Sequence, residues 1–236
     1  MRTPTMLIGV LMLWASTALA GPVADFEKSL RVAYADYRAA LFLTNSGKLP
    51  ESAKVMAAFK GKWDGIEKTW GAAPPPQYAD DPKWKETLDN VSATLVKASS
   101  EIDGGALPAA HATLEAIREA ISDLHERNGI ISFSDRMNDY HAVMEQVLGQ
   151  DLTKPDAMAM TEVLEMAAVL KYLAGDALAH PPAEAAGSSE FEDLAKAVSA
   201  SVDAVVTAAR AGDAEKLKVA IAKLKPSYAR FFVKFG

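Results

Sequence analysis

The apolar residues of this chain recur three and four positions apart, and the stripe returns in register after a shift of 107 positions, as from Trp84 to Phe191. That spacing gives an α-helix one apolar face, whereas a half-buried strand would alternate. Trp84, Leu88, Val91, Leu95, Ala98 and Ile102 outline a third helix, and Phe191, Ala195, Val198, Val202, Val205 and Ala209 a seventh. Ala110, Leu114, Ile117, Ile121 and Leu124 mark a fourth, matched by Leu217, Ile221, Leu224, Tyr228 and Phe231 in an eighth. The first and fifth pair Phe26 with Phe133, Leu30 with Met137, Tyr37 with Met144 and Leu41 with Leu148. The second and sixth pair Met56, Phe59, Trp63 and Ile66 with Val163, Met166, Leu170 and Leu173. Pro74-Pro75 falls on Pro181-Pro182, and Gly129 and Gly236 close the two halves. Few residues are identical at this offset, so the stripe and its punctuation carry the inference.

The predicted fold is all-α, a tandem duplication of an antiparallel four-helix bundle with eight helices. Residues 1–20 form a leader, 21–129 the first four-helix unit and 130–236 the second. Turns are expected at Asn45-Ser46-Gly47, Gly104-Gly105, Asp151 to Pro155 and Ala211-Gly212. Ser132 with Asp135 three residues on, and Ser189 ahead of Phe191, read as helix starts. Only Asn128 to Ser132 separates the units, so the bundles are expected to pack together or share helices.

The leader carries Arg2, an apolar run from Met6 to Trp14, and Ala18-Leu19-Ala20 before Gly21, the layout of a secretory signal cleaved after Ala20. The run is shorter than the ~20 apolar residues that cross a bilayer, and no later stretch reaches that length without charges. With no cysteine, an exported chain of this size points to a bacterial periplasm and to stability by burial instead of disulfides. Removing Arg2 takes the net charge from −6 to −7. No basic stripe is present, which argues against a nucleic-acid partner.

Polar residues that interrupt this pattern gather near the junction of the halves. His125 ends the fourth helix, and Asp135, Asp139, His141 and Glu145 lie on the fifth. A hairpin turning near Ile130 places His125 level with Asp135 and Asp139, which are one turn apart on one face. That set can hold a divalent ion; separately, Asp135 fits a capping box and His125 the negative end of its helix. His141 falls on or beside the apolar stripe between Met137 and Met144, with Met158, Met160 and Met166 following. Thioethers with an imidazole suit copper(I), and methionines also fill irregular cores without any ligand. The candidate metal residues are thus His125, Asp135, Met137, Asp139, His141, Met144 and Glu145. His111 with Glu115 forms an exposed one-turn pair, and His180 sits in a linker. The segment from Pro226 to Gly236 is strongly aromatic and reads as the capstone of the second core, with Phe231 and Phe235 inside; alternatively an exposed Phe232 anchors a protein partner.

An exported bundle with Leu30 early in its first helix and His125 in the last turn of its fourth resembles the cytochrome c′ type of periplasmic four-helix bundle. In that family a Cys-x-x-Cys-His motif attaches haem; here the matching stretch is Ile121-Ser122-Asp123-Leu124-His125-Glu126. The resemblance implies His125 as the iron ligand and Leu30 on the opposite haem face. Both cysteines are missing, so covalent haem is excluded, and Phe232 replaces the histidine in the second half.

Sequence alone therefore points to an exported, non-enzymatic helical bundle that binds a small ligand at an asymmetric junction site, a metal ion first and copper among metals. A protein-interaction or scaffold module using the aromatic tail is the alternative, and non-covalent haem binding the third reading. No nucleophile elbow, phosphate-binding loop or zinc-protease helix supports an enzyme.

Overall fold

The computed structural model describes residues 21–153 and 156–236, and all regular structure among them is helical. The expected secretory signal, residues 1–20, lies outside the described residues, as do positions 154 and 155 of the expected turn. The helices are α1 (Pro22–Asn45), α2 (Leu49–Trp70), α3 (Trp84–Asp103), α4 (Leu107–Arg127), α5 (Phe133–Leu148), α6 (Ala157–Ala179), α7 (Ser189–Arg210), α8 (Ala214–Ile221) and α9 (Leu224–Phe235). Single 3-10 turns stand at Pro76–Tyr78 and Ala183–Ala185.

The eighth helix of the sequence reading is interrupted, and its two pieces are α8 and α9. Pro226 has no N–H and its ring meets the carbonyl four residues back, so the α-helical ladder cannot run unbroken through Ala222 and Lys223. There the Lys223 amide bonds to the Ala220 carbonyl at 3.0 Å, a tighter 3-10-type turn. α7 also begins one residue earlier than the Ser189 signal implies. Ser188 is the cap, its hydroxyl accepting from the Phe191 amide at 3.2 Å.

α1 packs on α2 and α4, α2 on α3, and α3 on α4, an up-and-down bundle. In the second half α5 packs on α6 and α9, α6 on α7, and α7 on both α8 and α9. Matched elements occupy matched places: α4 and α8 start at Leu107 and Ala214, and the 3-10 turns at Pro76 and Ala183 follow the two Pro-Pro pairs. The paired aromatics also meet their counterparts' partners, since Phe26 contacts Trp84 at 5.1 Å between centroids and Phe133 contacts Phe191 at 5.9 Å.

The halves touch through α1 with α9 and α4 with α5. Arg38, only 3 % exposed on α1, donates to the carbonyls of Val233, Lys234 and Gly236 at the end of α9. Those carbonyls have no partner within their own helix, and the guanidinium satisfies them. Tyr228, Phe231, Phe232 and Phe235 are all buried along α9. Phe232, which the alternative docking reading needs at the surface, is 5 % exposed and stacks on Tyr228 at 5.4 Å. A helix packed against α5, α7 and α1 has too little free face for an exposed aromatic docking residue.

A junction cavity between the first, fourth and fifth helices

The site is positioned by how α4 ends and α5 begins. The Ile130 amide bonds to the His125 carbonyl at 2.9 Å and the Gly129 amide to that of Glu126 at 3.2 Å. This double closure needs a left-handed residue, and Gly129 supplies it at φ +66°. The chain then reverses and Ser132 caps α5. Its hydroxyl accepts from the Asp135 amide at 3.2 Å, and the Asp135 carboxylate accepts from the Ser132 amide at 2.8 Å.

The same carboxylate reaches back to α4. Asp135 Oδ2 lies 2.7 Å from His125 Nδ1, and Oδ1 accepts from the Ser122 hydroxyl at 3.2 Å. Asn138 extends the chain by donating to Ser122 Oγ at 2.9 Å. From α1, Glu27 places Oε2 3.5 Å from His125 Nε2, and its other oxygen accepts a short hydrogen bond from the Tyr78 hydroxyl. Burial disfavours a charged imidazole, but the hydrogen bond to Asp135 and the attraction of the Asp135 and Glu27 carboxylates outweigh it. His125 is pushed up to about 9 and carries a proton at neutral pH. Burial acts against the Asp135 anion in turn, yet its His125 and Ser132 hydrogen bonds hold its carboxyl below the usual range.

A cavity of about 140 Å³ opens beside this pair, lined by Glu27, Leu30, Arg31, Tyr34, Ile121, His125, Ser132, Ser134 and Asp135. Arg31 is held at its edge, donating Nε to Glu184 at 2.7 Å and Nη1 to Ser134 Oγ at 3.0 Å. Tyr34 and His125 are each 3 % exposed. Among the described residues the Tyr34 hydroxyl has no hydrogen-bond partner, and His125 Nε2 meets only the Glu27 carboxylate, 3.5 Å away and beyond good hydrogen-bond geometry. Buried polar atoms are nearly always paired, so an unpaired hydroxyl beside a loosely paired imidazole makes this cavity the candidate site. Burial drives the Tyr34 hydroxyl up to about 12, so it stays protonated and able to donate.

The sequence-predicted residues do not assemble into one site. His125 and Asp135 come together as expected. His141 and Glu145 form a second pair, Nε2 to Oε1 3.4 Å, with the His141 ring stacked on Tyr228 and Lys225 also 3.0 Å from Glu145. Burial and then the Arg118 charge push His141 down to about 4, leaving it neutral. Met137 and Met144 are buried core residues, Met158 is 68 % exposed, and Asp139 lies on the surface. Among the described residues no group of three or more His, Cys, Asp or Glu is arranged to hold a metal ion. At His125 the reason is geometric, because the two ring nitrogens face opposite ways, one toward Asp135 and the other toward Glu27.

Haem does not fit at His125 either. Ligand pockets for drug-sized molecules run to roughly 300–1,000 Å³, and this cavity is far smaller, with Asp135 on one ring nitrogen and Glu27 beside the other. Leu30 does line the same space as His125, as the bundle resemblance implies. His111 is less exposed than expected, its Nδ1 3.1 Å from the Leu41 carbonyl.

Sequence reasoning missed Glu27, Arg31 and Tyr34. Their signal was present in the 27, 31, 34 spacing, which puts a carboxylate, a guanidinium and a phenol along one edge of the apolar stripe of α1. At the offset positions the second half has Ser134, Asn138 and His141, and Phe232 in place of His125. A larger groove of about 800 Å³ runs between α7 and α8 past Ala200, Ala204, Ala208 and Val219, open to solvent and without a buried unpaired polar group. No protein-family model, curated protein or solved structure matches the chain.

Proposed function

We propose that this chain is an exported, non-enzymatic binding protein of the periplasm that takes a small organic molecule into the cavity between α1, α4 and α5. The observation that carries the reading is the unpaired Tyr34 Oη beside the loosely paired His125 Nε2, in a half-enclosed space with apolar walls. A site that exists only for stability would pair those atoms with each other or with the backbone. The offset residues of the second half differ, so one ligand per chain is expected.

The test is a ligand-observed NMR screen of small organic fragments against the purified protein, repeated with Ile121→Trp, which fills the cavity. Hits lost in the variant support the reading; no hits, or hits indifferent to the variant, sink it. Sequencing the amino terminus of the protein recovered from a periplasmic extract tests export, with Gly21 as the expected first residue.

A transition-metal ion, copper included, is a second reading and would sit at His141 with Glu145. It is favoured by one observation, the neutral imidazole beside a carboxylate on the next helical turn. Copper titration followed by His141 ring resonances decides it.

A further inference from the structure

The chemistry of the junction cavity narrows its occupant, and this inference rests on the binding reading given above. We propose that the cavity takes a neutral, hydroxylated six-membered ring, of which phenol is the simplest member.

Size comes first. At about 140 Å³ the space is close to the ~150 Å³ apolar cavity that admits benzene. Leu30 and Ile121 give it apolar surface for the flat body of such a ring.

Charge comes second. The lining holds Glu27, Asp135, Arg31 and His125, two acidic and two basic groups, and these already answer one another. Asp135 is engaged by His125, Ser122 and Ser132, and Arg31 by Glu184 and Ser134. A carboxylate ligand would meet Glu27 and Asp135, and an ammonium would meet Arg31 and protonated His125. Neither finds a free counter-charge, and a buried ion without one is strongly disfavoured.

Hydrogen bonding comes third. The Tyr34 hydroxyl donates and has no acceptor, and the protonated His125 Nε2 has only a loose one, the Glu27 carboxylate. Glu27 Oε2, 3.5 Å from that nitrogen, accepts. The ligand group must therefore accept from one side and donate to the other within a small volume. A hydroxyl does both through a single oxygen. It would sit between Tyr34, His125 and Glu27, with the ring directed toward Leu30 and Ile121.

The experiment is a set of calorimetric titrations of the purified protein with phenol, toluene and benzoate at pH 7. Phenol is expected to bind at least tenfold more tightly than toluene, which has nearly the same shape and no hydroxyl, and benzoate not at all. Tyr34→Phe should weaken phenol about tenfold and leave toluene unchanged, while a thermal melt confirms that the variant is folded. Toluene equal to phenol, or benzoate the tightest, overturns the hydroxyl assignment while leaving a ligand cavity in place. Failure of all three probes, together with no hits in the fragment screen, overturns both.

Discussion

The carboxylate of Asp135 caps the helix that carries it and, 2.7 Å away, holds the His125 imidazole of the preceding helix. One side chain thus starts α5 and fixes its angle against α4. Asp135→Asn should cost ~3–5 kcal/mol at pH 7, the cost of leaving a buried charge without its partner. Ser132→Ala removes only a cap and should cost about 1 kcal/mol. Urea denaturation at pH 7 compares them, and equal losses would show that the His125 contact contributes nothing.

Two histidines with opposite shifts give the protein a stability maximum. His125 is raised to about 9, so its contribution is complete below the unfolded value near 6.5 and disappears as pH rises through 9. His141 is lowered to about 4, so the unfolded chain takes up a proton first and stability falls as pH drops from about 6.5 toward 4. The maximum is expected near pH 6.5, with each limb worth on the order of 3 kcal/mol. His125→Gln should flatten the alkaline limb and His141→Gln the acid one in denaturation midpoints measured across pH. A limb that survives its own substitution refutes that assignment.

Arg38 is buried with three carbonyls of α9 as its acceptors, and burial, followed by the nearby Arg31 charge, pushes its guanidinium down to about 10. Arg38→Leu should destabilise by roughly 2–4 kcal/mol through orphaned acceptors. Amides from 231 to 236 should exchange at least tenfold faster by hydrogen–deuterium exchange. Arg38→Lys should recover only part of the loss, since an ammonium lacks the planar fork that reaches several acceptors.

Because α1 and α4 each contact the second half, the two bundles are expected to melt as one unit in calorimetry. Arg31→Ala with Arg38→Ala removes the ties to Ser134, Glu184 and the end of α9. The double variant should show two transitions. Two transitions in the unsubstituted protein would contradict this coupling.

What could be read from the chain follows the range of the interactions. The helical stripes, the Gly129 turn and the Ser132–Asp135 box are set by residues a few positions apart, and each is where local pattern places it. The capping role and the His125 contact of Asp135 were read as rivals, yet the carboxylate performs both at once. Glu27, Arg31 and Tyr34 escaped because what defines them lies far along the chain; Arg31 meets Ser134 across 103 positions. The Pro226 break was hidden by an apolar stripe that continues across it. The stripe leaves Phe232 open to either the core or the surface, because it does not show that α9 packs against α1 as well as its own bundle.

The grip of Arg38 on α9 also orders events during synthesis. Its acceptor at Gly236 emerges 198 residues after the arginine itself. Until then the guanidinium lies on a half-formed bundle with nothing to receive its protons, and burying it is unfavourable. The tie between α1 and α9 is therefore expected to form only after the other described helices have been made. The two halves lock only when α9 arrives to accept from Arg38.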